Sequence, residues 1–158
     1  MKGTHQVQIA CQADLEAFNN LVLACQDEAF TLACSILGDE GLACEVVQAV
    51  FLRVYTRRGD GGHPIPVQVL QGVIGMCRRT KPFKADAGAE IIPGWHQLEC
   101  GEQEALLLVD LLGKSYQHTA LVLDKSEHEV ATTVALGRYK LTRSFHSESK
   151  RGEDRREN

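Results

Sequence analysis

The sequence "SILGDEGLACEVVQAVFLRVYTRRG", residues 35–59, contains the features that decide the fold. Gly38 can take the left-handed conformation that ends one helix, and the Asp39 side chain can accept hydrogen bonds from the amides that begin the next. After this corner, apolar residues recur at spacings of three and four, the period of a helix with one buried face. They are Ala43, Val47, Val50, Phe51 and Val54. The stretch therefore predicts two helices joined at a tight corner.

The same period extends to both sides of the corner. Upstream, from Asp14, the apolar face comprises Leu15, Phe18, Val22, Cys25, Ala29, Ala33 and Ile36, which predicts one or two helices. Downstream, "RRGDGGHPIP" contains too much Gly and Pro for a helix, and a further periodic segment follows it. Its inner residues are Val67, Leu70, Val73, Ile74 and Cys77. We expect one helical domain over residues 1–84.

A second helical bundle is predicted over residues 98–146, after a linker at 85–97 that has no sustained period. Gly113 ends a first helix, Ser115 caps a second, and Ser126 with Glu129 forms a capping box for a third that reaches about Phe145. A short helix, a tight turn and a longer capped helix are typical of a helix-turn-helix. Residues 147–158 carry charge without large apolar side chains and are predicted to be a disordered tail. The fold class is all-α, with two small helical bundles.

The charge pattern restricts the possible partners. With 158 residues and a formal net charge of -4, the chain has no global positive field, so any nucleic-acid contact must be local. The one basic zone, residues 57–84, has six cations against Asp60 alone: Arg57, Arg58, Arg78, Arg79, Lys81 and Lys84. They are either solvated helix ends or nucleic-acid contacts.

Several other classes of function find little support in the sequence. It shows no nucleophile with its base and no paired carboxylates, so we expect no enzyme and no cofactor. His96 and Cys100 offer two metal ligands where a structural zinc site needs four. The start lacks a charged segment followed by a long apolar one, which indicates a cytoplasmic protein. The six cysteines form no C-x-x-C pair and are interpreted mostly as core residues, with a thiol-based redox sensor as an alternative.

Two segments resemble a known family. "ILGDEGLACEVVQAVFLRVY", residues 36–55, resembles region two of the extracytoplasmic-function sigma factors of bacterial RNA polymerase. "LECGEQEALLLVDLLGKSYQHTALVLDKSEHEVATTVALGRYKL", residues 98–141, resembles their region four, the helix-turn-helix that reads the upstream promoter element. The resemblance implies three partners: core RNA polymerase, promoter DNA and an anti-sigma protein.

The resemblance also implies site residues. Core-polymerase binding is assigned to Glu45, Gln48 and Arg53. DNA binding is assigned to Tyr55, Arg57, Arg58, Arg78, Arg79, Lys81, Lys125, Ser126, Thr132, Thr133, Arg138 and Lys140. Tyr55 also fits the ordinary role of a packed aromatic residue.

The sequence departs from the family pattern at several positions. Leu42, Cys44 and Ala49 stand where acidic residues are usual, and Ala131 and Thr133 stand where cations are common. Residues 98–146 hold seven acids against five Lys or Arg, unlike the basic balance of a strong duplex binder. The alternative prediction is therefore a sigma-like decoy, which binds an anti-sigma protein or the polymerase without productive promoter recognition.

Overall fold

The computed structural model describes residues 3–57, 62–80 and 92–154, and the side chains of 14–57, 62–80 and 92–146. This described part of the chain is all-α and contains no strand. Its helices are α1 (Gly3–Leu37), α2 (Glu40–Thr56), α3 (Ile65–Thr80), α4 (Cys100–Leu106), α5 (Tyr116–Leu123) and α6 (Glu127–Asp154). The chain divides into two compact units, Met1–Cys77 and Arg78–Asn158.

The predicted corner between α1 and α2 is confirmed. Gly38 has a φ of +65°, in the left-handed region, and its amide donates to the carbonyl oxygen of Cys34 at 2.8 Å. The Asp39 carboxylate accepts from the Leu42 amide at 2.9 Å and so caps α2. Glycine ends one helix and aspartate begins the next, as the local sequence requires.

The core of the first unit contains apolar residues from all three of its helices. The five predicted inner residues of α3 are buried, and so are four of the five in α2. The exception is Phe51, which is half-buried, while Val46 is buried beside Val47. Leu15 was predicted to be inside and is 44% exposed. The ring of Phe18 contacts Tyr55 in the last turn of α2. Leu15 lies one helical turn before Phe18, beyond the end of α2, so no α2 side chain covers it.

One segment of α1, Asp14–Leu37, is long and apolar enough to cross a membrane by length and composition, with a mean hydropathy of 1.2. A helix in the core of a globular protein passes the same test. Ala29, Leu32 and Ala33 are fully buried against the rest of the first unit. Core packing therefore accounts for one face of α1, while Leu15, Leu23 and Phe30 of the same helix are exposed.

The second unit has its own core. Leu98, Ala105, Leu106, Ala120, Val130 and Val134 form one buried cluster, with Trp95 packed against it. Gly137 allows α6 to approach α4 closely, since a Cβ there would lie 2.9 Å from Leu106 Cδ1. After α4 the chain makes a π-helical turn, Leu107–Leu111, in which the Leu112 amide donates to the Leu107 carbonyl. Gly113, with a φ of +64°, ends this segment as predicted.

The predicted caps of the last two helices are also confirmed. The Ser115 hydroxyl accepts from the His118 amide at 3.1 Å, which caps α5. At the start of α6, the Glu129 carboxylate accepts from the Ser126 amide at 2.7 Å, and the Glu129 amide donates to the Ser126 hydroxyl at 3.2 Å. This reciprocal pair is the predicted capping box.

Two predicted segments are structured differently. Residues 147–154, predicted to be disordered, continue α6 to Asp154. They contain no proline, and extending an existing helix avoids the cost of a new nucleus, which explains the difference. Of the predicted linker, residues 92–97 include a 3-10 turn, Trp95–Gln97, that belongs to the second unit, while 85–91 lie outside the described residues. The boundary between the units falls at Cys77 and Arg78, inside α3, rather than after residue 84.

Candidate nucleic-acid interface

The outward face of α2 carries the residues assigned to polymerase binding. Glu45 and Gln48 are exposed and lie one helical turn apart, and Arg53 is exposed near the end of the helix. Leu52, which the sequence did not single out, lies on the same face and is 66% exposed. Because spacings of three and four place Glu45, Gln48 and Leu52 in one row, the face combines an acid, an amide and an apolar side chain.

A groove of about 460 Å³ lies between the end of α2 and the start of α3. Arg53, Arg57 and His63 line it, together with the amide side chains of Gln68 and Gln71. The Gln68 amide nitrogen donates to the His63 carbonyl at 2.6 Å, which fixes the chain just before α3. Cationic and amide side chains in an open groove suit a phosphate backbone and exposed base edges.

Tyr55 and three further cations of the basic zone, residues 57–84, were also assigned to DNA, and they are placed differently. The Tyr55 ring packs edge-to-face on Phe18, with ring centroids 4.8 Å apart, which is the ordinary packed role. Arg79 is exposed at the end of α3. Arg58 and Lys81 lie outside the described residues.

Arg78 is engaged by a buried carboxylate within the second unit. Its Nε donates to Glu104 Oε1 at 2.6 Å, and its second terminal nitrogen pairs with Glu104 Oε2. The hydrogen bond to Glu104 raises the pKa of the Arg78 guanidinium above its ordinary value. Glu104 is 1% exposed, so Arg78 neutralises a charge that water cannot reach.

A second groove, of about 430 Å³, lies between the start of α4 and the first half of α6. It brings together Lys125, Thr132 and Thr133 from the set assigned to DNA. The Thr132 and Thr133 hydroxyls donate to the helix carbonyls of His128 and Glu129, at 2.9 and 2.7 Å. These hydroxyls therefore retain acceptor capacity, which suits a donor on a partner rather than a phosphate.

Ser126 is committed to the capping box. Its hydroxyl donates to Glu129 Oε2 at 2.6 Å, and this hydrogen bond is the main cause that lowers the pKa of Glu129. Glu129 therefore stays ionised at the mouth of the second groove. A carboxylate at that place opposes a phosphate.

The two cations assigned to the middle of α6 are both in ion pairs. Arg138 Nε donates to Asp110 Oδ2 at 3.1 Å, and its terminal nitrogen pairs with Asp110 Oδ1. Lys140 Nζ donates to both Glu102 carboxylate oxygens, at 2.7 and 2.9 Å. Sequence reasoning missed both pairs, because partners 28 and 38 residues apart leave no local signal.

The side chain of Cys11 lies outside the described residues, and the other five cysteines differ from the prediction that most of the six are core residues. Cys25 and Cys77 are buried, while Cys44 and Cys100 are exposed and Cys34 is half-buried. Burial, followed by the nearby Glu40, raises the pKa of the Cys34 thiol and so lowers its reactive thiolate fraction. Among the described residues, no group of three His, Cys, Asp or Glu side chains is placed to hold a metal ion.

Comparison with known proteins finds the fold in solved structures. The structure of CnrH in complex with the cytosolic domain of CnrY matches at a TM-score of 0.75 and 23% identity, over 87% of this chain and 95% of that one. The chain therefore shares the all-α fold of CnrH. The RsbN–BldN complex matches over 87% of this chain and 97% of the other at 21% identity, but its TM-score of 0.40 carries no weight. No protein-family model and no curated protein matches the sequence.

Proposed function

We propose that this chain is a cytoplasmic sigma factor of the extracytoplasmic-function type, a regulatory protein without enzymatic activity. It binds core RNA polymerase through α2 and directs the enzyme to a promoter. The observation that carries the proposal is the outward face of α2, where Glu45 and Gln48 are exposed while the apolar stripe is used in the core. The fold shared with CnrH and the groove at Arg53 and Arg57 agree with it.

We propose an anti-sigma protein as a further partner. The support is the fold shared with CnrH, which was solved in complex with the cytosolic domain of CnrY. The large exposed side chains of the first unit, Leu23 and Leu52 among them, give such a partner apolar surface to cover.

The test is binding to core RNA polymerase of the source bacterium, followed by transcription in vitro from a library of its genomic fragments. We expect binding and at least one discrete transcript. Binding without any transcript would identify the decoy instead. The observation that favours the decoy is that Arg78, Arg138 and Lys140 are already in internal ion pairs. Absence of binding to core polymerase would refute the sigma-factor function and would leave, of the decoy, only the form that binds an anti-sigma protein.

A charge-reversed variant tests the face that we assign to the polymerase. The double variant Glu45→Arg, Gln48→Arg should weaken binding to core polymerase at least tenfold. It replaces the negative charge on the outward face of α2 by positive charge, so this face no longer complements the polymerase surface. Both side chains are exposed, so the free energy of unfolding should change by only about 0.5 kcal/mol for each. The matched control is Gln117→Arg with Glu127→Arg, exposed positions in the second unit with the same charge change. Equal affinities of the two folded variants would show that α2 is not the docking element.

A further inference from the structure

The ion pair between Arg138 and Asp110 differs in its exposure from the pairs Lys140–Glu102 and Arg78–Glu104. The side chains of Arg138 and Asp110 are 50% and 42% exposed. In the Lys140 pair, Glu102 is only 5% exposed, and in the Arg78 pair, Glu104 is 1% exposed. Lys140 and Arg78 cannot leave without stranding a buried carboxylate, whereas Arg138 can leave and Asp110 is then solvated.

The Asp110 carboxylate occupies one edge of the Arg138 guanidinium, formed by Nε and one terminal nitrogen. A guanidinium binds a carboxylate and a phosphate through the same planar fork of N–H groups. Two Arg138 nitrogens are bonded to the two Asp110 oxygens, and these hydrogen bonds raise the pKa of the Arg138 guanidinium. In this arrangement the carboxylate stands in the place of a phosphate group.

The position of Arg138 on α6 places it on a face that can meet DNA. Arg138 follows Ala131 by seven residues, two helical turns, so the two positions share a side of the helix. In the proposed function, Ala131 belongs to the side of α6 that faces promoter DNA. Arg138 is thus an exposed cation on this side that an ionised partner neutralises.

The π-helical turn Leu107–Leu111 sets the position of Asp110. An ordinary α-helix continued from α4 would have one residue fewer in this turn and would place Asp110 about 100° away around the axis. With the extra residue, Leu108 stays fully buried while Asp110 reaches Arg138. The ion pair is therefore built into the backbone of the second unit.

We propose that Asp110 competes with DNA phosphate for Arg138, so that this internal ion pair holds down the affinity of α6 for duplex DNA. The inference rests on the proposed function, in which α6 faces the promoter. A phosphate takes this edge of Arg138 only by displacing the carboxylate, and at the other edge it meets the nearby Asp110 charge. Both effects lower the net gain from the contact. Removing the Asp110 charge releases the cation.

The experiment compares four forms of the full chain: unmodified, Asp110→Asn, Arg138→Gln and the double variant. Fluorescence anisotropy measures binding to a mixed-sequence DNA duplex at several salt concentrations, and elution from heparin gives a second, DNA-independent polyanion. We expect Asp110→Asn to bind DNA roughly three- to tenfold more tightly at 50 mM salt and to steepen the log-log salt slope by about one unit, the value of one phosphate contact. The gain should vanish in the Arg138→Gln background.

Each other outcome overturns the inference. A gain that persists without Arg138 would be an effect of net charge alone. No gain on either polyanion would show that Asp110 does not restrain Arg138, whatever the affinity of the unmodified chain for DNA. A gain on heparin with none on DNA would refute the inference and would also show that α6 does not face the duplex. This outcome does not depend on polymerase binding, so it can be distinguished from a failure of the proposed function.

Discussion

Lys140 and Arg138 lie two residues apart on α6, and both form ion pairs, yet their surroundings give them different roles. The Lys140 side chain is 30% exposed and covers a carboxylate that is 5% exposed. The Arg138 pair is open to water on both sides. Exposed pairs contribute little to stability, while removal of one partner of a buried pair is costly. Lys140 is therefore a structural residue, and its assignment to DNA binding has less support than that of Arg138.

Paired substitutions test this difference. We expect Lys140→Met to lower the free energy of unfolding by about 2 kcal/mol, somewhat less than for a fully buried pair, because it strands Glu102. Arg138→Met should cost at most about 1 kcal/mol. Urea denaturation followed by circular dichroism measures both values. Adding Glu102→Gln should restore part of the loss in Lys140→Met, since the amide oxygen still accepts from the Glu99 amide. Equal losses in the two single variants would contradict the assignment.

α2 and α3 approach each other closely at Gly72. A Cβ at Gly72 would lie 2.8 Å from Val50 Cγ1, closer than side-chain carbons approach. Val50 is β-branched and has one favoured rotamer in a helix, so it cannot turn away. We expect Gly72→Ala to destabilise the protein by about 1–3 kcal/mol despite its better helix propensity.

The matched control for that prediction is Gly101→Ala in α4. An added Cβ there meets only Lys125 Nζ, at an ordinary 3.6 Å. It should leave stability unchanged or raise it by up to about 1 kcal/mol. Thermal unfolding compares the stabilities of the two variants. A stabilised Gly72→Ala variant would show that α2 and α3 can move apart without loss of stability.

The elements that could be predicted from the sequence are those that depend on neighbouring residues. The corner at Gly38 and Asp39 and the capping box of Ser126 and Glu129 are set by contacts within three or four positions. The pairing of Glu102 with Lys140 joins residues 38 apart, and that of Asp110 with Arg138 joins residues 28 apart. These pairs follow from tertiary packing, which the periodicity of the sequence does not indicate. They decide which of the cations assigned to DNA remain available to bind it.

The charge of the whole molecule gives no long-range attraction to DNA. The net charge is -4, and residues 98–146 alone carry seven acids against five Lys or Arg, a net of -2. Electrostatic steering therefore cannot bring the free protein to a promoter. In the proposed function, binding to the polymerase must come first and place the local cations at the DNA.

The division into two units predicts how fragments behave. A fragment of residues 78–158 should unfold cooperatively, because the Leu98 cluster is internal to it. A fragment of 92–158 lacks Arg78 and leaves the buried Glu104 unpaired, so we expect it to be less stable by about 3 kcal/mol. Urea denaturation compares the two. Glu104→Gln should recover much of the loss in the shorter fragment, and equal stability of the two original fragments would contradict the prediction.

The π-helical turn Leu107–Leu111 also bears on how this protein can change in evolution. Substitutions alter one side chain at a time, but loss of a single residue from this turn would restore regular α-helical geometry and rotate everything after it. Leu108 could stay in the core while Asp110 moved off Arg138. A one-codon deletion in this turn is thus a small genetic step that unpairs Arg138 without replacing either member of the pair. Relatives with and without that residue should differ in the salt dependence of their DNA binding.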